Sequence, residues 1–324
     1  MDGGSGQLHG PRQVGARHRQ ARLVQPEQAL EVLLLGLGGV VPGHRGQPSP
    51  PGPWHRLGRV RIDGSTRALV TGASRGIGRA LAEALAGRGA TVGLLARSAD
   101  EVRALAAELP GEHVALPADV SDRASVERAV ERFVAAAEGL DLAVANAGIA
   151  RYGPFRETGV DAVEEMTAVN WLGTVYLVGA ALPHLLDRAH GHVVVVSSGA
   201  GHRSFPGAAG YGATKAAQRM FGEALRHELS GTGVSLTMVY PGEVATDLHA
   251  HEKDRMPDWY RGGPRAASAD ALAAKVLTAM ERDARAVHFP PLVRVLGAVH
   301  GLSPRLSDRV LRALRGATAA PRRD

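Results

Sequence analysis

Short apolar runs alternate with amphipathic stretches over most of the chain, from about residue 67 to residue 289. The apolar runs predict strands near residues 67–71, 91–96, 113–117, 140–145, 192–197, 234–240 and 286–289. Between them, apolar residues recur every three or four positions and predict helices near residues 76–88, 99–109, 122–138, 161–188, 210–230 and 268–283. Val193 to Val196 form a continuous apolar run, which is typical of a parallel strand covered on both faces. The alternation predicts an α/β fold over residues 64–289, a single doubly wound parallel sheet with helices on both faces.

The two ends of the chain depart from this pattern. Residues 1–63 are rich in Gly, Pro, Arg and His and show little periodicity, so we expect most of them to be disordered. Their apolar stretch, residues 32–41, is too short to span a bilayer and begins too late for an ordinary signal peptide. We therefore expect the natural start of the protein to lie near Val60.

Residues 290–324 carry apolar positions at helical spacing with interleaved arginines, which predicts two short amphipathic helices. The apolar positions are Leu292, Val295, Leu296 and Val299, then Leu306, Val310, Leu311 and Leu314. Such helices could cover a pocket, pack at a subunit contact or rest on an anionic membrane surface. The sequence alone favours membrane contact least.

The formal net charge of +6 comes mainly from the N-terminal segment. Residues 1–63 hold eight arginines and four acidic residues, so the remaining residues carry 30 basic and 28 acidic groups. No nucleic-acid recognition motif is present, and we expect no nucleic-acid partner. The absence of cysteine excludes disulfides and thiolate metal sites and is compatible with a cytoplasmic protein.

A glycine-rich turn lies between the first predicted strand and the first predicted helix, over residues 71–78. Gly72 permits a tight turn, Gly76 lets the backbone approach a pyrophosphate, and Gly78 allows the helix to pack closely. The N-terminus of the helix then faces the anion. Strand, glycine turn and helix in this order predict a dinucleotide site, and a turn without a ligand is the alternative.

The end of the second predicted strand bears on the choice of dinucleotide. NAD sites place an acidic residue about twenty residues beyond the glycines, where it holds the ribose hydroxyls. Here Ala96 and Arg97 occupy that position, and no carboxylate occurs before Asp100. Arg75 lies within the glycine turn, so two guanidinium groups can converge on a ribose 2′-phosphate. We therefore expect NADP(H) to be preferred over NAD(H).

Tyr211 and Lys215 are four residues apart on a predicted helix, with Ser198 thirteen residues before the tyrosine. Four residues is about one helical turn, so the phenol and the ammonium share one face. A cation about 4 Å away is expected to lower the pKa of the phenol by about three units before desolvation is counted. The chain has 3 lysines against 35 arginines, which favours a specific use of lysine here. A lysine snorkelling beside a buried tyrosine is the alternative.

Taken together and in order, these residues resemble the short-chain dehydrogenase/reductase family, over about residues 66–289. The glycine turn resembles the cofactor turn of the family, Asp119-Val120 its adenine contact, and Asn146-Ala147-Gly148 the motif that closes its fourth strand. Pro241-Gly242-x-Val244-x-Thr246 resembles its nicotinamide-side loop. Ala145 stands where many members have a second asparagine, and we expect little effect.

The resemblance implies a Rossmann-type fold and a set of site residues. It implies the catalytic residues Asn170, Ser198, Tyr211 and Lys215. It implies the cofactor-binding residues Gly72, Ser74, Arg75, Gly76, Ile77, Gly78, Arg97, Asp119, Val120, Asn146, Ala147, Gly148, Tyr211, Lys215, Pro241, Gly242, Val244 and Thr246. In this family the tyrosine is the general acid, the serine binds the carbonyl oxygen, the lysine also holds the nicotinamide ribose, and the asparagine anchors a water that links the lysine to solvent.

The function predicted from these residues is reversible hydride transfer between NADPH and a ketone or aldehyde. The apolar C-terminal helices indicate a hydrophobic substrate, and the segments 199–209 and 243–267 are expected to shape its pocket. By resemblance, helices 161–188 and 210–230 pair across a two-fold axis to give a homodimer or homotetramer. A non-catalytic sensor or scaffold with the same fold is the alternative. His249, His251 and Glu252 suggest a metal site by spacing, but we interpret them as a solvated part of a substrate lid and predict no metal.

Overall fold

The predicted doubly wound parallel sheet is confirmed by the computed structural model of the protein, which describes residues 60–246 and 266–309. Seven strands form one sheet in the order β3-β2-β1-β4-β5-β6-β7, and all neighbouring strands are parallel. The strands are β1 (Arg67–Thr71), β2 (Thr91–Ala96), β3 (Val114–Pro117), β4 (Leu142–Ala145), β5 (Gly191–Val196), β6 (Val234–Pro241) and β7 (Ala286–Phe289). The α-helices are α1 (Gly76–Ala86), α2 (Ala99–Glu108), α3 (Arg123–Ala137), α4 (Phe155–Met166), α5 (Gly173–Asp187), α6 (Ala209–Glu228), α7 (Ala269–Glu281) and α8 (Leu292–Leu302).

Helices cover both faces of the sheet because successive strand residues point to opposite sides. Val70, Leu94 and Val194 belong to one buried cluster together with residues of α1, α2 and α7. Their neighbours Leu69, Leu95 and Val195 belong to the opposite cluster, with residues of α3, α5 and α6. The strands are therefore apolar on both faces, which explains the continuous apolar runs in the sequence.

The order of the strands reverses between β1 and β4, which lie side by side at the centre of the sheet. β1 pairs with β4 through Ala68–Leu142, Leu69–Ala143 and Val70–Val144. In open parallel sheets, ligands bind beyond the carboxyl ends of the strands at such a reversal. The topology therefore places a binding cleft where Thr71 and Ala145 end their strands.

The predicted helix 161–188 is interrupted in the structure. Thr167–Leu172 form a π-helical turn that joins α4 to α5, and α4 begins at Phe155, before the predicted start, with a non-helical backbone at Gly159 (φ 70°). A π turn contains one extra residue and often marks a functional site; here it carries Asn170. The stretch 155–187 is long and apolar enough to cross a membrane, but its buried Leu177, Ala181 and Leu185 pack against the sheet, which accounts for that composition.

The first predicted C-terminal helix is present as α8, and residues 304–309 are helical where the second is expected. Other predictions lie outside the described residues. They concern the disorder of residues 1–59, the apolar stretch 32–41, the histidines of the predicted lid, and the positions beyond Arg309. Val60 and Ile62, at the end of the segment predicted to be mostly disordered, are buried in the core.

Candidate active site

One cleft of about 360 Å³ lies at the carboxyl ends of the central strands. Nearly all of the predicted cofactor residues line it, namely Gly72, Ser74, Arg75, Gly76, Ile77, Arg97, Asp119, Val120, Asn146, Ala147, Gly148, Tyr211, Lys215, Pro241, Gly242, Val244 and Thr246. Ser198 lines it as well, whereas Gly78 and Asn170 lie behind the lining. Below, the glycine end of the cleft means residues 72–78 with the loops against them, and the tyrosine end means Ser198, Tyr211, Lys215 and their neighbours.

The glycine turn is shaped by close backbone contacts. Gly72 and Gly76 have φ values of +65° and +57°, which glycine adopts without strain. A Cβ atom on Gly78 would lie 2.1 Å from the carbonyl oxygen of Gly72, and one on Gly72 would lie 2.9 Å from Cα of Ala147. The turn is therefore a cradle of bare backbone at the N-terminus of α1, and it fits the pyrophosphate of a dinucleotide.

A hydrogen-bond network joins the glycine turn to the loop after β4. Asn146 donates through Nδ2 to the carbonyl oxygens of Thr71 (3.0 Å) and Gly72 (3.3 Å). The Thr71 hydroxyl accepts from the backbone N–H groups of Asn146 (3.0 Å) and Ala147 (3.1 Å). The sequence analysis assigned no separate role to Thr71. A threonine at the buried end of an apolar strand could have indicated that its hydroxyl bonds to a neighbouring backbone.

The loop after β6 closes over the glycine end from the other side. A Cβ atom on Gly76 would lie 3.2 Å from Cβ of Thr246, so the two loops are in contact. Val244 forms a parallel bridge with Ala267, and the N–H of Ala245 donates to the carbonyl oxygen of Ala267 (2.9 Å). The two ends of the predicted lid are therefore joined beside the cleft.

Arg75 and Arg97 lie in the same lining, with Ser98 and Glu101. Arg79 pairs with Glu83 (2.7 Å) and Glu108 (2.6 Å), whereas no carboxylate of residues 60–246 and 266–309 pairs with Arg75 or Arg97. These two guanidinium groups can therefore receive an anion. Glu101, which sequence reasoning did not include, brings one negative charge into the lining.

The predicted proton-transfer residues meet at the tyrosine end. Nζ of Lys215 lies 5.9 Å from the centroid of the Tyr211 ring, on the same side of α6. It donates to the carbonyl oxygen of Val196 at the end of β5 (3.1 Å). The Ser198 hydroxyl accepts from the N–H of Ala200 (3.1 Å), and Ser198 and Tyr211 line the same part of the cleft. One strand end and one helix thus hold all three groups.

Burial dominates the protonation of this pair. It raises the pKa of Tyr211 to about 12, with the hydrogen bond from Ser198 as a smaller opposing effect. Burial also lowers the pKa of Lys215 to about 7. The expected lowering of the tyrosine pKa by its lysine neighbour is therefore wrong for the polypeptide by itself, because desolvation penalises the charged forms of both groups more than their mutual attraction favours them.

Asn170 is fully buried and connects the π turn to the loop after β4 and to helix α6. Its side chain accepts from the N–H of Ile149 (2.7 Å) and donates to the carbonyl oxygen of Ile149 (2.9 Å) and to the Thr214 hydroxyl (3.0 Å). Gln218 donates to the backbone oxygen of Asn170 (2.8 Å), and its Oε1 is buried with no hydrogen-bond partner in the part of the chain that the structure describes. Thr214 and Gln218, which sequence reasoning missed, fix the turn to α6.

Aromatic side chains form the wall beside Tyr211. The ring of Tyr152, which is fully buried, lies 5.7 Å from the ring of Tyr211 and 5.8 Å from that of Phe205. Ala150, Met166 and Ala208 complete this apolar cluster. Sequence reasoning missed Tyr152 because its neighbours in space come from three distant segments, although Phe205 lies in the segment that was expected to shape a pocket.

Comparisons with known proteins agree with this architecture. The family model of short chain dehydrogenases matches residues 66–257. An uncharacterised oxidoreductase of Myxococcus xanthus is 41% identical over 195 residues, which are 59% of this chain and 76% of that protein. A short-chain dehydrogenase of Burkholderia cenocepacia, solved in complex with NADP, shares 26% identity with a TM-score of 0.67 over 78% of this chain and 99% of its own. A short-chain dehydrogenase/reductase of Burkholderia phymatum, solved with NAD, shares the fold at 24% identity, with a TM-score of 0.68 over 76% of this chain and 96% of its own.

Proposed function

Because the chain belongs to the short-chain dehydrogenase family and is an oxidoreductase with a nicotinamide dinucleotide site, we propose that it reduces hydrophobic ketones or aldehydes with NADPH. The observation that carries this proposal is the meeting of Ser198, Tyr211 and Lys215 at one end of a cleft whose other end is a glycine cradle. A bound reduced nicotinamide supplies the hydride.

The residues at the tyrosine end manage the proton and the substrate oxygen. Tyr211 donates its phenolic proton to the oxygen that becomes an alkoxide, and Ser198 orients that oxygen by a hydrogen bond. Lys215, held by the Val196 carbonyl, is placed to stabilise the phenolate that remains when it carries a proton. Asn170 fixes the backbone of Ile149 at the edge of the cleft.

The protonation of the pair favours reduction over oxidation. A phenol whose pKa is about 12 holds its proton at neutral pH and is ready to donate it. Alcohol oxidation needs the opposite state, a phenolate that accepts a proton, and burial disfavours that state. The free protein therefore holds Tyr211 in the protonation state that reduction requires.

Two arginines support NADPH as the cofactor. Arg75 and Arg97 bring two positive charges to the cleft, and neither is paired with the carboxylates of Glu101 and Asp119 that also line it. A ribose 2′-phosphate would be held by such a pair in forked hydrogen bonds, whereas NADH would leave both guanidinium groups without an anion. Asp119 and Val120 are assigned to the adenine side of the same cofactor.

The lining of the tyrosine end supports an apolar substrate. Ile149, Val169 and Val196 lie in the lining near Tyr211, while the buried Tyr152 and Met166 pack behind it. A carbonyl compound with a bulky apolar group would cover the apolar side chains of this lining, while Ser198 and Tyr211 would hold its oxygen.

The buried lysine disfavours a sensor or scaffold without catalysis. Lys215 is 4% exposed, and burial has lowered its pKa to about 7. Placing a lysine there costs folding free energy, and the combination of Asn170, Ser198, Tyr211 and Lys215 exceeds what dinucleotide binding alone requires.

We keep a homodimer or homotetramer as the proposed assembly. Met220 of α6 and Val160 of α4 are 62% and 59% exposed, and the rings of Trp171 and Phe221 meet between the two helices at 5.3 Å. Burial of this surface by a second copy would remove apolar area from water. The molar mass in solution, measured by light scattering, tests this assignment.

The test of the proposed function compares NADPH and NADH oxidation across ketones of increasing apolar size. We expect kcat/KM to rise with substrate size and to be at least about tenfold higher with NADPH. Arg97→Ala should remove most of that preference by raising the KM for NADPH, with the KM for NADH nearly unchanged. Arg132→Ala, on α3, is the matched control. Equal use of both cofactors by the unaltered protein would refute the NADPH assignment, and no turnover of any ketone would refute the reductase.

A further inference from the structure

The outer face of α8 exposes large apolar side chains. Leu292, Val295 and Leu296 are 60%, 55% and 45% exposed, and Leu302 at the end of the helix is 88% exposed. These positions follow helical spacing and therefore lie along one side of the helix. Leu306, at 49% exposure, continues the apolar surface beyond the helix. We call these five residues the α8 face.

The inner side of the helix is firmly packed. A Cβ atom on Gly199 would lie 3.1 Å from Val293, and one on Gly242 would lie 2.9 Å from it. A Cβ atom on Gly297 would lie 3.2 Å from the His202 ring. The inner side of α8 therefore packs against the loops after β5 and β6. Because these contacts fix the orientation of the helix, the α8 face points away from the rest of the described protein.

The charge beside the α8 face is positive. Arg294, Arg305 and Arg309 are exposed, and Asp308 is paired with Arg203 at 2.5 Å. Residues 292–309 thus hold three arginines and one aspartate, a net charge of +2. An apolar stripe with flanking arginines is complementary to lipid chains below a layer of anionic headgroups.

The same charge argues against a second copy of the chain as the partner of this face. A two-fold contact would bring two equally charged segments together, and like charges at a shared surface repel. Anionic headgroups instead neutralise the arginines while the acyl region receives the leucines.

We propose that the α8 face binds the surface of an anionic lipid bilayer, with α8 lying in the plane of the interface. The inner contacts of Val293 place this surface next to the loops that carry Ser198 and Gly242. If the proposed reductase function holds, the tyrosine end would open close to the bilayer, where apolar carbonyl compounds concentrate. The docking itself does not depend on that function.

The test is co-sedimentation of the full chain with vesicles, without cofactor or substrate. We expect binding to vesicles that contain phosphatidylglycerol in phosphatidylcholine, at least about tenfold weaker binding to phosphatidylcholine alone, and weakening by added salt. The double variant Val295→Gln/Leu296→Gln should lose at least about tenfold in affinity. Leu186→Gln, which alters an exposed leucine of α5, is the matched control and should bind like the unaltered protein.

The remaining outcomes decide against the proposal. It is overturned if the full chain fails to bind anionic vesicles, or if Leu186→Gln weakens binding as much as the double variant. It is also overturned if the double variant changes the molar mass from dimer to monomer, because a second copy would then cover the α8 face. Circular dichroism and NADPH binding of each variant show that the fold is retained. A protein that binds vesicles and reduces no ketone would keep this proposal and refute the proposed function.

Discussion

At the glycine end the cleft is shaped by backbone and small residues, whereas at the tyrosine end the lining residue Tyr211 is supported from behind by packed rings. Gly72, Gly76 and Gly78 come from one stretch of eight residues, and a cradle results from their missing side chains. At the tyrosine end, Tyr152 and Tyr211 are more than fifty residues apart in the sequence. Tyr152 packs against both Phe205 and Tyr211 and so holds the Tyr211 ring in place. The predicted cofactor site can be built from one local stretch of backbone, whereas the position of the proposed proton donor depends on contacts between distant segments.

This difference predicts that substitutions at the two ends change different properties of the protein. An added atom at the glycine end meets rigid backbone and should impair both folding and cofactor binding. A lost atom at the tyrosine end should leave cofactor binding intact and reduce turnover, because the proton donor is then less well oriented.

Gly78→Ala is the change expected to have the largest effect on this comparison. Its new Cβ would lie 2.1 Å from the Gly72 carbonyl oxygen and 2.5 Å from Nδ2 of Asn146, so the turn must move. We expect the free energy of unfolding to fall by about 2 to 3 kcal/mol and the NADPH affinity to fall at least about tenfold. Urea unfolding and NADPH fluorescence titration measure the two effects.

Gly179→Ala is the matched control, since Gly179 is exposed within α5 and its new Cβ would meet no atom of residues 60–246 and 266–309 within 4 Å. It should leave NADPH binding unchanged and stabilise the protein by about 0.5 to 1 kcal/mol. Normal NADPH affinity in the Gly78→Ala variant would contradict a backbone cradle at the glycine end.

Tyr152→Leu should separate the two ends of the cleft. The loss of a fully buried ring 5.7 Å from the Tyr211 ring frees the phenol to turn away from the substrate oxygen. We expect kcat to fall about tenfold while the dissociation constant for NADPH stays the same. Phe155→Leu, which alters a ring that is 57% exposed, serves as control and should keep full activity. A change in NADPH affinity with normal kcat would show that the wall does not act through Tyr211.

The buried lysine should give the stability of the protein a distinct pH dependence. Burial lowers the pKa of Lys215 to about 7 in the folded protein, against an ordinary value of 10.5. Between these values the unfolded chain binds more protons, so the lysine penalty shrinks and stability rises as the pH increases from 7 to 9. The slope for one proton cannot exceed about 1.4 kcal/mol per pH unit.

Lys215→Met should flatten this rise, whereas Lys275→Met, at an exposed position of α7, should preserve it. Urea unfolding of the three proteins at pH 7, 8 and 9 measures the slopes. The same slope in all three would mean that Lys215 is not held in a desolvated site.

Parts of the molecule that depend on local pattern could be predicted from the sequence. The apolar runs gave the strands, and the spacing of Tyr211 and Lys215 placed both on one side of a helix. The π turn at Asn170 and the wall around Tyr152 could not be predicted, because they arise from contacts between distant segments. The pKa of Tyr211 was predicted in the wrong direction, since spacing shows a neighbouring charge and does not show the depth of burial.

The most direct measurement of the central claim is the steady-state turnover of Tyr211→Phe with NADPH and a bulky apolar ketone. The variant keeps the ring and loses only the hydroxyl, so the wall and the cradle are preserved. We predict a fall in kcat of at least about a hundredfold, with NADPH bound as tightly as before. A variant that keeps a tenth or more of the normal kcat would contradict Tyr211 as the proton donor.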